Sequence, residues 1–170
     1  MNIELAKELL SFHSCRNEDI DDPRWENGFL GILRPFQGEL NEKNFIEVME
    51  CLKVLVPEIQ KENIDKNIVS DIINIIHFTR NWVSEEGILT RNNKVTTEQT
   101  KYLLAWSDII ETCFIYLLED ASDIAFTDYT AYCNNEYFLC KRRVFLIGRF
   151  SLYDAYAIFI RFFNCYVFFI

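Results

Sequence analysis

The chain has 170 residues, half of them hydrophobic and a quarter charged, with only five Gly and three Pro. This composition excludes intrinsic disorder and collagen-like or linker-rich classes, and the length suits one core that folds without metal or disulfide. The formal charge of −9 argues against nucleic acid as a ligand, because phosphates are held by Lys and Arg, and suits a basic partner instead.

The charge is uneven. Residues 1–140 hold 12 Lys/Arg against 25 Asp/Glu, a balance of −13, whereas residues 141–170 hold five against one, a balance of +4. Met1–Glu8 lacks the basic start and apolar run of a signal peptide, so a cytoplasmic chain is expected. In that compartment Cys15, Cys51, Cys113, Cys133, Cys140 and Cys165 should be reduced thiols. No C-x-x-C pair exists, and neither His13-x-Cys15 nor Cys133-x6-Cys140 has zinc spacing, so no metal and no cofactor are expected.

In chain order, Ile3–Phe12 reads as a short amphipathic helix. An acidic loop follows, Glu18-Asp19-Ile20-Asp21-Asp22-Pro23, leading into Arg24-Trp25-Glu26. Phe29–Leu33 predicts a turn of helix that Arg34-Pro35 ends. Asn41 is a plausible N-cap for a helix to about Val56, with Phe45, Val48, Met49, Leu52, Leu55 and Val56 on one face and Pro57 as a break or kink. The segment Lys66–Ser84 is apolar nearly all round, leaving a narrow stripe of Ser70, Asp71, Asn74, His77, Asn81 and Ser84. That pattern predicts a central helix, stopped at Gly87.

Ile88–Val95, with Asn92-Asn93 in its middle, predicts a turn or a minimal hairpin. Thr96 to Gln99 fits a capping box, opening a long helix to about Glu119 with Leu103, Trp106, Ile110, Cys113, Phe114 and Leu117 inward. Ser122–Cys133 predicts helix, and 136–170 is open between helix and strand. Ten of the 27 residues from Val144 to Ile170 are Phe or Tyr. Ala155–Ile170 is shorter than the roughly 20 apolar residues of a spanning helix and is broken by Arg161 and Asn164, so stable membrane insertion is not expected. The whole reads as a mainly α, single-domain helical bundle over 1–170, burying Leu52, Ile72, Ile76, Trp106 and Ile110.

Two acidic groups are candidates for holding a partner. The first is Asp19, Asp21, Asp22 and Glu26 around Trp25, where an aromatic beside acids is the kind of anchor interfaces favour; the competing reading turns Trp25 inward to pin the loop. Pro23 and the lack of a central Gly exclude a calcium loop there. The second is Glu119, Asp120, Asp123 and Asp128, with Tyr129 and Tyr132 close by. Glu119 and Asp120 fall at a helix C-terminus, where acids oppose the macrodipole. His77 is the one candidate base, but Asn74, Arg80 and Asn81 offer it no nucleophile.

The run Arg34-Pro35-Phe36-x-Gly38-x-Leu40-Asn41-Glu42-x-Asn44-Phe45-x-Glu47-Val48-Met49-Glu50 resembles a stretch of small helical immunity proteins from bacterial contact-dependent and polymorphic toxin systems, and the Thr96–Asp120 helix is similar in character. The resemblance covers residues 25–130 and not the aromatic end. It implies a cytoplasmic, non-catalytic protein that binds a toxin domain and blocks it. The acidic surface agrees independently with a basic nuclease as that partner. The rival readings are an enzyme or small-molecule binder with a pocket beside the His77 stripe, and a membrane-surface adaptor working through 141–170.

Overall fold

Five of the helices begin where a side chain satisfies one of the first free backbone N–H groups. Asn2 caps α1 (Ile3–His13), its Oδ1 accepting from the Leu5 N–H at 2.9 Å. Asp22 caps α2 (Pro23–Asn27), Asn41 caps α3 (Glu42–Ile59) and Asp65 caps α4 (Lys66–Val83). The short α5 (Ile88–Arg91) follows Gly87. The capping box of α6 (Thr97–Leu118) is complete, the Gln99 N–H donating to Thr96 Oγ1 and the Thr96 N–H to Gln99 Oε1. α7 (Thr127–Cys133) follows, and residues 137–139 are again helical.

The computed structural model describes residues 1–139. The fold is mainly α, as its periodicities predict, with no strand among the described residues. The chain divides into two compact units, Met1–Thr130 and Ala131–Ile170. In the first, α4 lies against α6, α1 and α5, α3 against α1 and α6, and α2 against α1. Leu52, Ile72, Ile76, Trp106 and Ile110 are all buried. Phe45 stacks on Trp106 with ring centroids 5.3 Å apart, and Phe29 and Tyr129 meet this pair edge-on, so residues from four parts of the chain share one aromatic centre. In the second unit, Tyr132, Tyr137 and Phe138 make mutual ring contacts. The question of helix or strand for most of 136–170, the surface adaptor reading, Cys140 and Cys165 lie outside the described residues.

Several boundaries differ from the sequence expectation, each for a local reason. Ile88–Val95 forms no hairpin. Gly87 instead sits so close to the carbonyls of Asn81 and Trp82 that a Cβ would lie 2.4 Å from each, which folds the chain back on the end of α4. There Leu89 is buried, Thr90 Oγ1 donates to the Val83 carbonyl, and the backbone closes as one helical turn.

Pro57 does not end α3; only Glu58 and Ile59 follow it within the helix, so a single ladder bond is lost while Ile59 becomes buried. Phe29–Leu33 is a set of turns rather than helix: the Leu33 N–H donates to the Leu30 carbonyl, the Arg34 N–H to the Gly31 carbonyl, and Leu33 bridges to Phe36, while Phe29, Leu30, Leu33 and Phe36 are all buried. In Ser122–Cys133 helix begins only at Thr127; Asp120, with φ 58°, turns the chain out of α6 first. Nor is α4 enclosed: it buries Ile68, Ile72, Ile75, Ile76 and Val83, while Ile73 and Phe78 remain exposed, since its neighbours flank one side.

Candidate functional site

The acidic segment is built rather than loose. The Asp19 N–H donates to Asn17 Oδ1, and Asn17 Nδ2 donates to Ser11 Oγ, which ties the turn to α1. Asp22 then accepts from the Arg24 N–H as cap of α2, a five-residue helix where a loop was expected. Arg24 spans the segment: it forks onto Asp22, pairs with Glu8 at 2.9 Å, and lies 4.2 Å over the Phe12 ring. The guanidinium holds the Asp22 carboxyl below the usual range. Asp22 is therefore matched. Asp19, Asp21 and Glu26 are exposed and have no cationic partner among the described residues, and Ile20 stands beside them 66% exposed.

Trp25 is half-buried. Its indole N–H is enclosed and meets no acceptor among the described residues, a situation that costs about 1–3 kcal/mol for a buried donor. The ring thus turns its polar edge inward, as the pinning reading anticipates, while its exposed part lines a groove of about 650 Å³ between α2 and residues 34–41. The backbone at Gly31 forms part of this groove; a Cβ there would lie 2.2 Å from the Trp25 carbonyl oxygen, so only Gly permits the approach. Three hydrogen bonds brace the walls: Asn44 Nδ2 to the Asn27 carbonyl, Asn41 Nδ2 to Asn44 Oδ1, and Gln99 Nε2 to the Gly38 carbonyl.

The second acidic group lies elsewhere. Glu119 caps the end of α6, and Glu119, Asp120 and Asp123 are exposed while Asp128 is half-buried in α7. Tyr129 faces α3, where Lys53 lies 4.9 Å over its ring. The structure therefore places the two groups in different surroundings, the first in the turns between α1 and α2 and on α2, the second after α6.

His77 is exposed and stands edge-on to Phe78 with ring centroids 5.4 Å apart. A shallow groove of about 390 Å³ beside it is lined by Ile73, Arg80, Asn81 and Glu111. Arg80 is already committed, bridging from α4 to both Asp108 and Glu111 of α6. The buried polar groups lie at the end of α1 instead. His13 Nδ1 accepts from the Phe29 N–H at 3.1 Å, which leaves the ring proton on Nε2; that nitrogen is 3.1 Å from Glu47 Oε2, though outside hydrogen-bond geometry. The His13 ring holds the Glu47 carboxyl below its ordinary value. Asp71 is buried and accepts from Ser14 Oγ at 2.7 Å and Arg16 Nη1 at 2.8 Å; burial nonetheless pushes its carboxyl up.

Cys51 and Cys113 are buried and pushed up to about 12, Cys15 is pushed up to about 11, and all three are free thiols, as is the exposed Cys133. No group of three His, Cys, Asp or Glu among the described residues is placed to hold a metal ion, and no helix among them is long and apolar enough to cross a membrane.

Sequence reasoning missed Arg24 as the keystone, Ile20 as the exposed apolar residue, and the groove with Arg34 and Glu39. The alternation of Ile20 between acids was a visible signal; the groove was not, since it depends on a turn packing against a helix.

Comparison with protein-family models, curated proteins and solved structures finds no match for this chain.

Proposed function

We propose that this protein is a cytoplasmic, non-catalytic immunity protein that binds and neutralises a cognate bacterial toxin domain, a basic nuclease, through its acidic surface. The observation that supports this reading is the state of the first acidic group. Asp19, Asp21 and Glu26 stand exposed, with no cationic partner among the described residues, on a segment tied down by Asn17 and by the Arg24–Asp22–Glu8 cluster. A fixed array of unmatched like charges raises encounter rates with a cation-rich partner and loses little conformational entropy when it docks. Ile20 and the exposed part of Trp25 supply apolar contact within the same surface.

The test is to purify the toxin-like domain encoded beside this gene and measure binding and nuclease activity at ionic strengths of about 0.05 and 0.5 M. The expected result is a stoichiometric complex that abolishes cleavage and associates more slowly in high salt. No complex, or one whose association is indifferent to salt, defeats the proposal.

A further inference from the structure

We infer that the groove between α2 and residues 34–41 takes an extended, Lys- or Arg-bearing segment of the partner; this rests on the binding reading above and names the surface that carries it. The groove is a concavity of about 650 Å³ whose walls are held by hydrogen bonds to α3 and α6, so it is formed before anything enters. Each wall contributes one exposed carboxylate, Glu26 from α2 and Glu39 from the facing segment, and neither has a cationic partner among the described residues. The surrounding stretch 18–42 holds seven acids against two bases, a balance of −5, and one of those bases, Arg24, is already paired.

Beside the carboxylates the lining offers the apolar side chains of Trp25, Ile32, Pro35 and Leu40 as well as the amides of Asn27, Gln37 and Asn41. A long cationic side chain fits both features, its methylene stem on the apolar lining and its charge at the rim. Arg34, exposed and without an anionic partner among the described residues, lines the same groove and excludes a cation from its own end, which gives the segment a preferred register.

The experiment is a ¹⁵N NMR titration of the full chain with the peptide acetyl-Arg-Leu-Arg-Leu-Arg-amide, and with the Glu-for-Arg peptide as control. The Trp25 indole resonance is assigned by its loss in Trp25→Phe. Saturable shifts at the Trp25 indole and residues 31–41 are expected with the basic peptide and none with the acidic one. In the double variant Glu26→Gln/Glu39→Gln, whose two sites are exposed and unpaired, affinity should fall roughly tenfold with an unchanged spectrum elsewhere. Shifts confined to other surfaces, no saturable shifts, or equal affinity in the variant overturn the inference. The toxin domain separates this outcome from the broader proposal. If it binds the double variant undiminished but is weakened by Asp19→Asn with Asp21→Asn, the groove is wrong and the acidic immunity surface stands. If it does not bind the native chain at all, the immunity proposal falls and the peptide map alone decides the groove.

Discussion

At the end of α1, His13, Ser14 and Arg16 meet the half-exposed Glu47 and the buried Asp71, so each acid there has a donor or a proton-bearing ring beside it. A few residues later Asp19, Asp21 and Glu26 carry the same chemistry with no side-chain donor among the described residues. The difference follows from solvent. A carboxylate taken out of water must be matched or the fold loses several kcal/mol, whereas one left in water costs almost nothing unmatched. The inner group is therefore bound by stability, and the outer group is free to serve an encounter.

Substitutions sharpen this contrast, the largest effect lying nearest the core. Ile72 is fully buried beside Asp71, and Ile72→Ala should cost about 2–5 kcal/mol in denaturant unfolding through the cavity it leaves. Asp71→Ala should cost about 1–3 kcal/mol, because the buried Ser14 hydroxyl loses its acceptor and Arg16 its ion pair. An Asp71 substitution without effect would erase the distinction between the two regions.

Acid titration of stability gives the inner group a second signature. Burial raises the Asp71 carboxyl above its ordinary 3.8, so the folded state binds its proton more readily than the unfolded state does. Its ionised form therefore opposes folding, and stability is regained as the pH falls into the window just above 3.8. Glu47 behaves in the opposite sense. It is held below its ordinary 4.5, so its contribution is complete above that pH and disappears as the pH drops through its folded value. Asp71→Asn should steepen the acid loss of stability and Glu47→Gln should flatten it. Identical acid limbs in both variants would contradict the assignment.

The smallest effect on folding belongs to the outer group. Asp19→Asn with Asp21→Asn should shift unfolding free energy by less than about 0.5 kcal/mol while lowering the association rate with the toxin domain and flattening its salt dependence. Measurable destabilisation would mean that these acids are structural after all.

Much of this architecture was legible in the chain because it is written in short-range patterns. The i, i+3, i+4 spacing from Phe45 to Leu55 and the Thr96–Gln99 box needed only local geometry, and both elements are present as expected. The failures involve residues whose role depends on distant partners. Ile88–Val95 reads as a turn or hairpin by its Asn pair; the turn is present at Asn92 and Asn93, but Gly87's contact with the end of α4 makes the residues before it one helical turn. Asp71 reads as part of a polar stripe, yet Ser14 and Arg16, more than fifty positions earlier, draw it inside. Of the candidate site, the acidity and Trp25 were visible. The pairing that removes Asp22 from the free acids, and the groove beside Trp25, arise only when α2 folds against α1 and the 34–41 segment.

Gln99 has a consequence for motion. Its side-chain amide closes the first turn of α6 through Oε1 and, through Nε2, holds the Gly38 carbonyl at 2.7 Å, a link across 61 positions of sequence. One planar group thus belongs to both a helix start and a groove wall. Fraying of that helix end releases the wall, and a molecule that steadies the wall restrains the fraying. By this linkage, amide hydrogen exchange at the beginning of α6 becomes a gauge of occupancy at a surface that α6 itself does not line.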